Sequence, residues 1–222
     1  MSPSTLTLFT LLILLPAATL SSAALRGHNA ARHGGDLVRS SCSHARYPDL
    51  CFHTLSSYPG PTDNPRDVAR AALKISLARA RRVSSYLSGQ AASSSSKSKR
   101  ERGALADCLE QMSDSVDELR QSLAELKHLR GGEELRWQLS NAETWVSAAL
   151  TNEDTCLDGF QEVEAKVKGD VRRKISNVAR VTSNALYLIN RLDEGTSRRQ
   201  SGRGRRPARR AGFVMAGDDG RL

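Results

Sequence analysis

The sequence predicts an all-α protein: an up-down-up-down four-helix bundle with an N-terminal helical hairpin and two disulfides. Aromatic residues make up only 5% of the 222 residues, which leaves little material for the core of a β-sandwich. Four segments each carry one apolar stripe at helical spacing. Four cysteines, an even number, follow an N-terminal apolar run that is typical of exported chains.

The N-terminal apolar run covers residues 6–15, and Ser22 and Ala24 follow at the positions that a signal peptidase prefers. We therefore predict a signal peptide over residues 1–24. A membrane anchor is not expected, because the run is much shorter than the ~20 residues needed to span a bilayer. The predicted folded domain covers residues 35–194.

The first predicted element of the domain is a helical hairpin between residues 39 and 57. Tyr47-Pro48 marks its turn, because the residue before a proline is disfavoured in a helix. Cys42 and Cys51 lie on either side of that turn, so a disulfide between them would close the hairpin.

The first bundle helix opens at Asn64-Pro65 and is predicted to close near Gly89. Its apolar stripe comprises Ala69, Leu73, Ser76, Ala80, Val83 and Leu87. Residues 88–103 contain four consecutive serines and several basic residues. We predict that this segment is a flexible linker between the first and second bundle helices.

The second bundle helix runs from Leu105 to the stop signal Gly131-Gly132. The third follows those glycines and ends around Asp158-Gly159, and the fourth ends before Gly195. Short connections make neighbouring helices antiparallel. The three stripes are Leu105, Leu109, Met112, Val116, Leu119, Leu123 and Leu126; Leu135, Leu139, Ala142, Val146 and Ala149; and Ile175, Val178, Thr182, Ala185, Ile189 and Leu192.

The formal net charge of +9 comes from two segments only. Residues 195–222 have a net charge of +6 and residues 88–103 a net charge of +3, so the rest of the chain sums to zero. We predict that 195–222 is a basic disordered tail. A nucleic acid partner is not expected, because the tail has one aromatic residue and the chain is exported.

The four cysteines allow three disulfide connectivities, of which the spacing favours Cys42 with Cys51 and Cys108 with Cys156. The first pair is close in sequence, and the second pair lies on two helices that can run antiparallel. A zinc site is the alternative. No Cys-x-x-Cys occurs and no two histidines stand at i, i+4, so we expect no metal and no cofactor.

Catalytic motifs are absent from the sequence. It contains no Gly-x-Ser-x-Gly elbow, no dinucleotide fingerprint and no phosphate-binding loop. We therefore expect a protein that acts by contact rather than an enzyme, with no catalytic residues.

Five segments carry a resemblance to a known family. Residues 41–51 read SCSHARYPDLC, 104–110 ALADCLE, 114–119 DSVDEL, 144–160 TWVSAALTNEDTCLDGF and 182–186 TSNAL. In this order they resemble the plant invertase and pectin methylesterase inhibitor family. The resemblance implies a four-helix bundle with an N-terminal hairpin, secreted to the cell wall, in which the first cysteine pairs with the second and the third with the fourth.

The resemblance implies an inhibitor that covers the substrate cleft of a pectin methylesterase in a 1:1 complex and thereby modulates pectin de-esterification in the apoplast. An acid invertase is the less favoured partner, because the Pro-Lys-Phe tripeptide of invertase inhibitors is absent. The same segments also resemble the pro-regions of plant pectin methylesterases, so a truncated pro-region is a further alternative. De-esterified pectin, a polyanion, is a second expected partner through the Arg-rich tail.

Five polar residues are candidates for the partner interface. Asp114, Asp117 and Glu118 belong to the acid-rich face of the second bundle helix, which suits a basic rim on an enzyme. Thr182 and Asn184 lie on or next to the fourth stripe, where they either bond within the bundle or face the partner.

Overall fold

The computed structural model describes residues 35–93, 98–161, 163 and 167–203, with side chains as far as residue 195. The predicted signal peptide (1–24) lies outside these residues, as does most of the predicted tail. Within them all regular structure is helical, and none of the described helices combines the length and hydrophobicity of a membrane-spanning segment. The helices are α1 (35–42), α2 (Pro48–Ser56), α3 (Pro65–Ala92), α4 (Lys99–Lys127), α5 (Glu133–Gly159) and α6 (Lys168–Arg203).

Helices α3 to α6 form a four-helix bundle, as the sequence predicts. Each contacts the next along the chain, and α6 returns to contact α3, so the four helices close a ring. Hydrogen bonds between α4 and α5 show their relative direction: Ser115 reaches Glu153, whereas Ser122, two turns further along α4, reaches the carbonyl of Ala142. Residues later in α4 therefore contact residues earlier in α5, so the two helices are antiparallel.

The core of the bundle consists of the predicted stripes. Every residue of the α3 and α5 stripes is buried, and the stripes of α4 and α6 are buried except at partly covered positions. Removing such apolar surface from water is the main favourable term in folding, at ~25 cal/mol per Å². Phe160, directly after α5, is also fully buried, together with Val163, Val167 and Val171, and the stripe analysis missed all four.

The helix starts follow their capping residues. Oδ1 of Asn64 accepts a hydrogen bond from the amide of Asp67 over 3.0 Å, with Pro65 in the first turn of α3. Oγ of Ser98 accepts one from the amide of Glu101 over 3.1 Å at the start of α4. Gly132 precedes α5 with a φ of 71°, a backbone conformation that favours glycine.

The predicted linker 88–103 is wrong in its extent. Residues 88–92 continue α3, and residues 99–103 already belong to α4. Alanine is the strongest helix former, so Ala91 and Ala92 extend α3 past the exposed Gly89 at little cost. The cap at Ser98 starts α4 six residues before the predicted Leu105.

The predicted end of the last helix before Gly195 is also wrong. α6 continues to Arg203, so residues 195–203 of the predicted disordered tail are helical, and 204–222 lie outside the described residues. One glycine costs a helix only ~1 kcal/mol relative to alanine, and the next proline is Pro207. A helix already anchored by its buried stripe therefore passes through Gly195.

The hairpin α1–α2 lies beside the bundle and contacts α3 and α6 through α2. Cys42 and Cys51 form a disulfide across its turn, and Cys108 and Cys156 form a second one between α4 and α5. All four cysteines are at most 2% exposed. Arg39 of α1 also lies over the ring of Phe52 in α2, at 4.3 Å from its centroid.

Candidate functional site

Charge is separated between the two halves of the bundle. α3 carries six basic residues and one acidic residue, and α6 carries six and three as far as residue 195. α4 carries five basic and seven acidic residues, and α5 carries one and six. Because α3 and α6 are neighbours on one side of the ring, the bundle has a basic half opposite an acidic half. The net charge of zero outside residues 88–103 and 195–222 conceals this arrangement.

The acidic half contains the three candidate carboxylates of α4. Asp114 and Asp117 are exposed, and Asp117 forms an ion pair with Arg120. Glu118 is half-buried, and its Oε2 accepts a hydrogen bond from Nδ2 of Asn152 in α5 over 2.9 Å. The three therefore occupy one face, with Glu118 fixed at the seam between α4 and α5.

The electrostatics of this acidic face are visible in Glu118. Partial burial raises the pKa of its carboxyl group. The hydrogen bond from Asn152 lowers the pKa, whereas the negative charges of Asp114 and Asp117 raise it, and the net shift is upward. A cation from a binding partner would relieve this repulsion.

The two tryptophans are both in α5 and differ in exposure. Trp137 is 66% exposed, and it is the one large hydrophobic side chain among the described residues that is exposed to solvent. Trp145, next to the buried Val146, is half-buried. An exposed tryptophan on the acidic half suits an interface anchor.

Thr182, a candidate for the partner interface, instead takes the other alternative that the sequence left open and bonds within the bundle. Its side chain is fully buried, and Oγ1 donates a hydrogen bond to Oε1 of Glu153 over 3.1 Å. Oγ of Ser115 donates to the same oxygen over 2.9 Å. A single buried carboxyl group thus connects α4, α5 and α6.

Asn184, the other interface candidate on α6, is likewise buried, at 3% exposure, and bonds within the fold rather than facing a partner. Its Oδ1 accepts a hydrogen bond from the amide of Tyr47, and its Nδ2 donates to the carbonyl of the same residue, each over 3.0 Å. The amide side chain therefore attaches the turn of the hairpin to α6. Its polarity serves the fold, because a buried backbone group without a partner is costly.

Glu153 is the principal polar residue that the sequence analysis missed. It is fully buried, its Oε2 has no hydrogen-bond partner, and burial raises its pKa to about 8. The sequence pattern does indicate its burial, because the apolar stripe of α5 continues from Ala149 to position 153 and then to Cys156 with the same spacing of four and three. A carboxyl group at a stripe position predicts a neutral, hydrogen-bonded acid in the core.

The described residues contain no group of three or more His, Cys, Asp or Glu side chains placed to hold a metal ion. The buried Glu153 has two hydroxyl partners and no access to a substrate, so it is a structural acid. What the described surface offers is a rigid body with one acidic face and one basic face.

Comparison with known protein families gives a match over residues 36–188. The matching family is described as "Plant invertase/pectin methylesterase inhibitor". A relative from Arabidopsis thaliana, named pectinesterase inhibitor 3, is 56% identical over 171 residues, which cover 73% of this chain and 83% of the relative.

Two other similarities extend this comparison. The crystal structure of a mutant form of a pectin methylesterase inhibitor from Arabidopsis has the same fold, with a TM-score of 0.55, 21% identity, and coverage of 67% of this chain and 92% of the other. Pectinesterase 1 from Citrus sinensis is 32% identical over 184 residues, which cover 76% of this chain but only 31% of that protein.

Proposed function

The chain belongs to the plant invertase/pectin methylesterase inhibitor family, and from that premise we propose that it is a secreted inhibitor of pectin methylesterase that performs no chemistry itself. The observation that carries the proposal is the 56% identity to a relative named pectinesterase inhibitor 3. Binding would occur at the substrate cleft of the enzyme in a 1:1 complex and would reduce the de-esterification of cell-wall pectin.

The architecture supports inhibition by a preformed surface. Four packed helices and two disulfides hold the backbone in place before binding, so little conformational entropy is lost on association. A standard interface of ~1,600 Å² can then give tight binding.

The acidic half of the bundle is the surface we propose for the contact. Asp114 and Asp117 are exposed there and Glu118 lies beside them. Trp137, on the neighbouring helix, adds an exposed aromatic side chain of the type enriched at binding hot spots. Burial of Thr182 and Asn184 removes them from the proposed interface.

A titration tests the proposal. The purified, oxidised chain is added in increasing amounts to a plant pectin methylesterase and, in parallel, to a cell-wall acid invertase. We expect the esterase to lose activity up to a 1:1 ratio while the invertase keeps its activity. An esterase that retains full activity at a molar excess of the chain would overturn the proposal, and inhibition of the invertase alone would favour the alternative partner.

A pro-region of a pectin methylesterase is the second candidate. It is favoured by the similarity to part of pectinesterase 1 from Citrus sinensis, of which the matched segment covers 31%. The genomic sequence downstream of Leu222 distinguishes the two, because an in-frame esterase domain would make this chain part of a pro-enzyme.

We further propose that the protein acts in the apoplast and that its Arg-rich C-terminal segment binds de-esterified pectin. Residues 195–222 hold eight arginines against two aspartates, and such a segment attracts a carboxylate polymer. Retention on polygalacturonate that weakens on deletion of residues 204–222 would support this role. Unchanged retention after the deletion would contradict it.

A further inference from the structure

A groove on the basic half of the bundle has no role in the proposed inhibition. It lies between α3 and α6 and encloses about 700 Å³. Its walls carry six cationic side chains: Arg79, Arg82, Arg172, Arg173, Lys174 and Arg180. The acidic half formed by α4 and α5 lies on the opposite side of the ring, so one molecule can use both surfaces at once.

Most of these cations are not neutralised by the described residues. Arg173 forms an ion pair with Asp170. Arg79 instead donates a hydrogen bond to Oδ1 of the neutral Asn177 over 2.7 Å, and Nζ of Lys174 lies over the ring of Tyr86 at 4.6 Å. Arg82 and Arg172 are exposed and form no ion pair with any described acidic side chain.

The electrostatic cost of this arrangement is visible in Arg79. Burial lowers the pKa of its guanidinium group, and the positive charge of Arg82 lowers it further. An anion bound in the groove would reverse both effects, because it would compensate the desolvated charge and screen the repulsion between the two arginines.

The spacing of the cations suits a polymer better than a single small anion. Arg79 and Arg82 are three residues apart on α3, and Arg172, Arg173 and Arg180 span two turns of α6. At a rise of ~1.5 Å per residue, the two α3 arginines are about 4.5 Å apart along one wall, and the cations from Arg172 to Arg180 extend over about 12 Å along the other. Arginine is suited to carboxylates in particular, since its planar guanidinium group pairs with both oxygens of the anion.

We infer that the groove between α3 and α6 binds a polyuronate, the carboxylate-bearing polysaccharide that a pectin methylesterase produces. The choice of polymer rests on the proposed function, since it is the polyanion that accumulates where the esterase acts. Through this groove the inhibitor remains attached to the product at the site of de-esterification while its acidic half engages the enzyme.

The test compares two double variants of the full mature chain, which keep the same C-terminal segment. Arg82→Ala with Arg172→Ala removes two groove charges, whereas Arg66→Ala with Arg81→Ala removes two exposed arginines of α3 that lie outside both the groove and the acidic half. Dissociation constants are measured by calorimetry for fully de-esterified oligogalacturonides, for methyl-esterified oligomers of equal length and for phosphatidylserine vesicles. Inhibition of the esterase is measured in parallel.

We expect the groove variant to bind de-esterified oligomers about tenfold more weakly and with a smaller dependence on salt. The control variant should lose less than about threefold, and methyl-esterified oligomers should not bind. Equal losses in both variants would overturn the inference, as would tight binding of the esterified oligomers or a groove-dependent preference for vesicles.

Both variants should inhibit the esterase like the parent chain, because the altered residues lie outside the acidic half. Loss of oligomer binding with inhibition retained supports the groove as a separate site. If the parent chain does not inhibit the esterase, the proposed function is wrong. The inhibition assay shows this separately from the binding measurements, which test the groove.

Discussion

Asn184 and Tyr47 are 137 residues apart in the chain and exchange two hydrogen bonds, each of 3.0 Å. The side-chain amide of Asn184 satisfies both the N–H and the C=O group of Tyr47, which is the last residue before α2. The orientation of the hairpin on the bundle is thus fixed by a buried polar contact as well as by apolar packing.

Replacing Asn184 by leucine should lower the free energy of unfolding by about 1 to 3 kcal/mol. The leucine has a similar size, but it leaves the amide of Tyr47 without its partner, whereas the carbonyl keeps a hydrogen bond from the amide of Cys51 over 2.9 Å. Urea unfolding gives the stability, and hydrogen exchange at the Tyr47 amide reports the local effect. The control Ser183→Ala should change the stability by less than about 0.5 kcal/mol. Unchanged exchange at Tyr47 in the leucine variant would contradict this account.

The sequence predicts the parts of this fold that follow local rules. Apolar stripes at spacings of three and four indicate the buried faces, and Asn64 and Gly132 mark helix starts because capping and backbone conformation are local properties. The helix ends were less predictable. Gly89 and Gly195 do not end their helices, because alanines follow Gly89 and the buried stripe of α6 anchors the turns before Gly195, which offsets the weak propensity of one glycine.

The roles of the polar residues on or beside the apolar stripes can be assigned only from the tertiary structure. Thr182 and Asn184 each allow two interpretations from sequence, since a polar side chain beside an apolar stripe can face either the core or a partner. Only the positions of Glu153 and Tyr47 in space show that both point inward. The charge separation between the two halves is also hidden, because it depends on which helices are neighbours.

The stability of the protein should decrease as the pH rises from about 5 to 8. Burial holds the pKa of Glu153 at about 8, against an ordinary value of 4.5, so between these values the folded chain retains a proton that the unfolded chain has lost. Each pH unit in this window should therefore lower the free energy of unfolding by roughly 1 kcal/mol. Burial also raises the pKa of Glu118 and Glu143, which acts in the same direction. Urea unfolding at pH 5, 6, 7 and 8 measures the slope.

Glu153→Gln is the matched control for this pH dependence. Glutamine keeps an oxygen that accepts from Ser115 and Thr182 but cannot ionise. The variant should have a much flatter slope and should be more stable than the parent at pH 8. A slope equal to that of the parent would show that Glu153 is not the titrating group.

Removing the two disulfides one at a time should give unequal losses of stability. On the loop-entropy model, Cys108–Cys156 closes a loop of about 49 residues and contributes ~4 kcal/mol, whereas Cys42–Cys51 closes about 10 residues and contributes ~3 kcal/mol. Both pairs are buried, so replacing either pair by alanines leaves a similar cavity. Chemical unfolding of the two double variants gives the order, and a larger loss for the hairpin pair would contradict the model.

Reversing two charges on the acidic half should weaken inhibition of the esterase if this surface makes the contact. Asp114→Lys with Asp117→Lys replaces two exposed carboxylates by cations, so a basic rim on the enzyme would be repelled instead of attracted. We expect association to slow by about tenfold at low ionic strength, with the difference shrinking as salt is added, because the Debye length falls to ~10 Å at 0.1 M. Stopped-flow inhibition kinetics at several salt concentrations measure the effect.

The control for that variant is Asp63→Lys with Glu194→Lys, which changes the net charge by the same amount away from α4. Both residues are exposed, and the ion pair of Glu194 with Arg191, at 4.0 Å, is of the kind that contributes little to stability. The control should slow association by less than about threefold, because only the long-range attraction changes. Equal slowing in both variants would mean that only the net charge of the inhibitor affects association. Unchanged association of the Asp114→Lys, Asp117→Lys variant would exclude the α4 carboxylates from the interface, because a contact that desolvates these two residues cannot tolerate lysines in their place.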